Sequence, residues 1–268
     1  MKIGIHAGSD QGTVDNCKRI GVDEVCLTVP HGDQGYVELD ALKNAKDFLA
    51  DAGIAASSGL LGSFPSQEVM TGQADAEPEL ENLKRTMDSL GEVGFYSVLN
   101  FVASPKPMTE KEENEYWARL LDYYAKFVAM AENAKVKIAT HAFYYPDRLV
   151  QGSDHLMHIL DAIPSDYNGV TLCGGLHIPG DDVSKSVEMF KGKIFFAHAR
   201  DLGGSRFKTE PETIEVPLGE GEVDVPAMID ALKKVVYEGV ICPEHLGPPK
   251  VEGEDQLGEA VKYLKRLI

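Results

Sequence analysis

Positive charge is scarce in this chain: 26 lysines and arginines stand against 43 aspartates and glutamates, a formal net charge of −17 over 268 residues. Such a balance repels polyphosphate backbones and argues against nucleic acid as a partner. It says little about small anionic substrates, because a few arginines inside a pocket outweigh a distant surface. Long apolar runs are also missing. None approaches the roughly 20 residues needed to span a bilayer, so no membrane partner is expected. The start, MKIGIH, lacks the basic patch and apolar core of a secretory signal and reads as a strand, so a cytoplasmic location is expected. The four cysteines, Cys17, Cys26, Cys173 and Cys242, form no CxxC and suit free thiols better than a disulfide framework. No GxGxxG follows the first strand, which weakens the case for a doubly wound dinucleotide-binding sheet.

What the chain does have is an eightfold strand signal, in short β-branched or apolar runs over 2–7, 23–29, 53–60, 97–103, 137–143, 169–175, 194–201 and 239–245. Amphipathic helical segments lie between them, including 39–52, 77–94, 110–134, 150–163, 181–190 and 225–237, with 254–267 closing the chain. Gly53, Gly94 and Gly239 stand where a helix-ending left-handed turn is expected, and Asp181 and Asp224 where helix N-caps are expected. Strand–helix alternation means a parallel sheet, and eight units of about 33 residues close it into a single α/β domain over 1–268, a (β/α)8 TIM barrel. Two loops, 61–76 and 202–223, exceed the even spacing and belong on the substrate-contacting face.

In such a barrel, functional groups stand at the C-terminal ends of strands. Reading off those ends gives His141, Cys173, His198 and Glu244 on the fifth to eighth strands, with His245 beside the last. A lone strand-end histidine is more often structural, and a lone buried cysteine is usually a small hydrophobe. Good ligand types on four consecutive strands, about one repeat apart, point instead to one divalent metal ion. Arg200 and Asp201 follow His198 at the mouth; Arg200 suits a substrate carboxylate, with a salt bridge as the competing role. His6, Asn100, Tyr145, His177 and Glu215 are candidate substrate contacts, His6 from a strand expected to lie opposite the site. Tyr144 is expected as a pocket wall.

At these positions the chain resembles the mannonate dehydratases, within the xylose-isomerase-like barrel superfamily. The resemblance rests on Cys173-Gly174-Gly175, IFFAHARD (194–201), VPLGEGEVDVPAMIDAL (216–232) and PEHLG (243–247), with ENLKRTMDSLGEVGFYSVLNF (81–101) and His141 upstream. It implies manganese held by His141, Cys173, His198 and Glu244. Ligand softness alone favours zinc or Fe(II), and Co(II) also suits the set. The chain departs from the family where Cys242 replaces an arginine and Glu244 an aspartate, which points to a changed substrate.

Three functions follow. The first is a sugar-acid dehydratase, a lyase giving a 2-keto-3-deoxy acid, with Arg200 anchoring the carboxylate and His245 or Asp201 carrying protons. The second is a metal-dependent sugar isomerase or epimerase, weakened because 3-epimerases of this kind use two opposed carboxylates and the fifth strand offers His141. The third is a non-catalytic sugar-binding barrel. The partner in each is a small sugar or sugar acid, and helices such as 110–134 supply surface for a homo-oligomer.

Overall fold

A computed structural model describes residues 1–103, 105–142, 148–176, 182–203, 214–249 and 253–268. Tyr144, Tyr145, His177 and Asp181 lie outside the described residues. In chain order the elements are β1 (Lys2–Ile3), β2 (Ile5–Ala7), α1 (Gln11–Ile20), β3 (Glu24–Thr28), α2 (Leu39–Asp51), β4 (Ala55–Ser63), α3 (Gln67–Thr71), α4 (Ala76–Glu92), β5 (Ser97–Phe101) and α5 (Glu110–Ala134). They continue as β6 (Lys137–His141), α6 (Ser153–Ala162), β7 (Asn168–Cys173), α7 (Val183–Met189), β8 (Ile194–Ala199), β9 (Asp201–Gly203), β10 (Ile214–Val216), α8 (Val225–Lys234), β11 (Val240–Pro243) and α9 (Gln256–Leu267).

The main sheet runs β1-β11-β8-β7-β6-β5-β4-β3-β2, every pairing parallel. Its two ends, β1 and β2, are halves of one strand interrupted at Gly4, so the sheet closes on itself as an eight-stranded barrel. Gly4 continues the seam by donating its N–H to Ile241 O at 2.9 Å. A Cβ there would sit 2.6 Å from Val240 Cγ1, so the closure requires glycine. The buried apolar residues form two clusters. The smaller draws only on strands, with Cys26, Leu99, Ala139, Phe195, Phe196, Val240 and Cys242, and fills the barrel interior. The larger lies between strands and helices. All four cysteines are free and buried.

Part of the acidic surplus has a local job. Asp10, Asp75, Asp182, Asp224 and Asp255 each accept a backbone N–H as a helix N-cap, where the helix dipole also favours negative charge. The expected cap at Asp224 is therefore present, while α7 is capped by Asp182. Two expectations shift. Gly53 and Gly94 do take positive φ, but Gly239 does not; α8 ends early and Val236 adopts φ 58° in its place. The Tyr237 ring folds back to donate its hydroxyl to Val240 O at 2.7 Å, over a Gly239 that must lack a side chain to admit it. The 61–76 loop is also more ordered than its composition suggests. Strand β4 reaches Ser63, and Ser66 caps the short α3. Among the described residues, no helix is long and apolar enough to cross a membrane.

Helices α4 and α5 meet at Gly91, where an added Cβ would collide with the carbonyl of Ala134. Backbone cannot yield as a side chain can. Gly91→Ala should cost about 1–3 kcal/mol, as overpacking does, seen as a lower urea midpoint; an unchanged midpoint would contradict this packing.

Candidate metal centre

Parallel pairing sets the height of each donor. Cys173 on β7 and His198 on β8 are direct register partners, and His198 is in turn opposite Cys242 on β11. Two residues beyond Cys242, on the same side of the chain, stands Glu244, whose N–H is held by Ala199 O at 2.9 Å. His141 ends β6. One ligand atom from each of His141, Cys173, His198 and Glu244 lies within 4.8 Å of all the others. Donors about 2.0–2.3 Å from one common ion can be at most about 4.6 Å apart, so the four fit a single divalent cation with slight contraction.

The local chemistry suits that fit. His141 donates Nδ1–H to Ala142 O at 2.6 Å, which leaves the lone pair on Nε2. Burial, then the neighbouring His198, lower its pKa to about 3. Burial and His6 also push His198 well below the ordinary range. Both imidazoles are thus neutral, the form that ligates metal. Burial, then Glu244, raise the Cys173 thiol to about 12, so without a cation the sulfur keeps its proton and rests 3.7 Å from Glu244 Oε2. His198 Nδ1 lies 3.2 Å from that same oxygen, yet it is buried and out of line for a hydrogen bond.

Around the donors, the structure separates the expected contacts into those at the site and those built into its frame. Asp201 is fully buried, and its carboxylate accepts the N–H groups of Leu202, Gly219, Gly221 and Val223 at 2.8–3.1 Å. With its acceptor positions filled by backbone, it clamps the glycine-rich loop before α8. Asn100 is buried, and its amide binds both the N–H and the C=O of Phe64 and also Tyr124 Oη. Arg200 is engaged too: Nε donates to both Glu215 oxygens at 3.1 Å, Nη2 binds Glu215 Oε1, and Nη1 is 3.9 Å from Glu244 Oε2. Glu215, on β10, is therefore the partner of Arg200.

Two residues stand nearer the chemistry. His245 adopts φ 50°, unusual for a residue with a side chain and worth about 1–2 kcal/mol of strain. Its half-exposed ring is held at the mouth with Nε2 3.9 Å from Glu244 Oε1. His6 is not opposite the site, because barrel closure sets its strand beside β11; its Nε2 lies 2.8 Å from His198 Nε2.

Sequence reading missed the role of the glycines. A Cβ on Gly175 would strike the Arg200 side chain, one on Gly174 would meet Arg200 O at 2.5 Å, and one on Gly247 would meet Glu215 O at 2.6 Å. Each glycine marks a surface against which the Arg200–Glu215 pair is laid.

In metal-free protein, His6, His141 and His198 all carry lowered pKa values, with burial the leading cause in each. Unfolding lets them take up protons below about pH 6.5. Their contribution is thus fully present above that pH and is lost as pH falls, by up to about 1.4 kcal/mol per pH unit for each histidine. Urea midpoints of chelator-treated protein should drop between pH 7.5 and 5.5. A flat profile would contradict the buried, neutral assignment.

The chain matches the family model described as "Xylose isomerase-like TIM barrel" over residues 14–267. Among curated proteins it is similar to the mannonate dehydratase of Thermotoga neapolitana, 28% identical over 144 residues, and to that of Brachyspira hyodysenteriae, 25% identical over 143. Each alignment covers 50% of this chain and 40% of the relative, so less than half of either relative's length is matched. Among solved structures, a mannonate dehydratase from Streptococcus suis serotype2 superposes with TM-score 0.83 at 19% identity, over 100% of this chain and 92% of that one. A D-tagatose 3-epimerase-like protein gives TM-score 0.76 at 16% identity, over 100% and 97%. An IOLI protein with a bound zinc atom gives 0.71 at 20%, over 100% and 96%. At these identities the superpositions show the fold, and the family match carries the conclusion that the chain belongs to the xylose isomerase-like TIM barrel family.

Proposed function

We propose that this protein is a divalent-metal-dependent sugar-acid dehydratase of the cytoplasm, eliminating water from a mannonate-like acid to give a 2-keto-3-deoxy acid. The observation that carries the reading is the convergence of His141, Cys173, His198 and Glu244 within 4.8 Å, in a chain half of which aligns with mannonate dehydratases. Manganese is the ion that the resemblance in sequence motifs implies. The thiolate favours zinc or Fe(II), and the zinc of the IOLI neighbour is in keeping with a divalent ion.

A bound divalent ion would supply Lewis acidity to the carboxylate and stabilise charge developing at the adjacent carbon. The chain's own residues do the rest. His245, held at the mouth beside Glu244, takes the proton from the carbon next to the carboxylate. The C–O bond at the following carbon breaks, the departing hydroxide takes that proton back from the His245 imidazolium and leaves as water, and the resulting enol tautomerises to the ketone. Arg200 and Glu215 brace Glu244 and the β9–β10 hairpin. With its fork filled by Glu215, Arg200 is not the anchor for the substrate carboxylate.

A second reading, a sugar isomerase or epimerase, draws on the epimerase-like neighbour. Against it, Glu244 is the only carboxylate in the four-donor group.

Manganese-loaded protein incubated with D-mannonate should yield a 2-keto-3-deoxy acid, detected by thiobarbiturate colour. Cys173→Ala should abolish turnover, and His245→Asn should lower kcat by about 10²–10⁴, the range for a lost general base. Metal bound without product, together with interconversion of neutral ketoses, would replace this reading by the second.

A further inference from the structure

The seam that closes the barrel brings a histidine against the donor cluster from behind. His6 Nε2 and His198 Nε2 are 2.8 Å apart, their ring centroids 5.0 Å apart at 64°. The His6 ring also leans on Phe196, at 5.6 Å between centroids. Two imidazole nitrogens at that distance share one proton, so one ring donates and the other accepts. Which ring donates decides which nitrogen of His198 keeps its lone pair. Among the described residues, His6 is the only hydrogen-bond partner of His198 Nε2.

We infer that His6 is a positioning residue that sets the tautomer of His198: it accepts Nε2–H, so that Nδ1 of His198 turns its lone pair into the four-donor cluster. The inference rests on the metal reading above. One observation supports it independently of that 2.8 Å contact. His198 Nδ1, the nitrogen remote from His6, lies 3.2 Å from Glu244 Oε2, so it is the nitrogen on the side of the other donors. His6 Nδ1 is buried with no partner among the described residues, which leaves the contact with His198 Nε2 as the polar contact of the His6 ring there. Metal-bound histidines generally owe ring orientation and basicity to an acceptor on the far nitrogen, and its loss typically weakens metal binding 10–100-fold.

The test uses Co(II) titrated into the metal-free full chain, followed by its thiolate charge-transfer and d–d absorption, with chelator competition giving Kd. His6→Phe keeps ring volume without an acceptor, and His6→Gln returns one. Phe should raise Kd by about 10–100-fold and alter the d–d bands, while Gln should stay within about threefold of wild type. Metal-free thermal melts of all three report on folding separately. Wild type and His6→Phe binding cobalt alike, with the same spectrum, would overturn the inference and leave the metal reading intact. So would equal weakening in Phe and Gln that tracks a fall in metal-free Tm, which would mark His6 as a packing residue. Wild-type protein that binds no cobalt would overturn both.

Discussion

Burying four donor atoms at one point is costly unless a cation lies between them, and much of the upper barrel is arranged around that constraint. Burial and Glu244 together push the Cys173 thiol up to about 12, and burial drives His141 down to about 3. The histidines are therefore already neutral, and a metal held by these four residues would require one proton to leave Cys173. Two neutral imidazoles, a thiolate and a carboxylate would then bring a charge of −2 to a divalent ion. No other combination of the four protonation states matches that charge so directly.

The frame that holds the donors relies on backbone and on charges spent inward. Asp201 and Arg200, neighbours in sequence, both face away from bulk water. Asp201 gathers four N–H groups of its own strand and the glycine-rich loop. Arg200 lies across Gly175 and ties Glu215 of β10 toward Glu244. The family-like motifs at 173–175, 194–201, 216–223 and 243–247 thus form one packed unit, and their glycines are where its parts touch. His245 is left as a half-exposed imidazole beside Glu244.

The eight-unit barrel and the convergence of the four residues were legible because both depend on local signals: short β-branched or apolar runs, and one ligand type at each of four strand ends. Other assignments depend on contacts that spacing does not encode. The Asp201 clamp needs the chain to return 18 to 22 residues later. The Arg200–Glu215 pair needs a hairpin, and the placement of His6 against His198 needs closure across 192 residues. Asn100 looked available because it ends a strand, yet its side chain secures the backbone of Phe64. The break at Gly4 and the short α3 were equally invisible, since each answers to neighbours across the sheet or loop.

If His141, Cys173, His198 and Glu244 hold one ion, X-ray absorption at the zinc edge of the zinc-loaded chain should show one sulfur neighbour at about 2.3 Å with imidazole nitrogens at about 2.0–2.1 Å. A first shell of oxygen and nitrogen with no sulfur would contradict such a site.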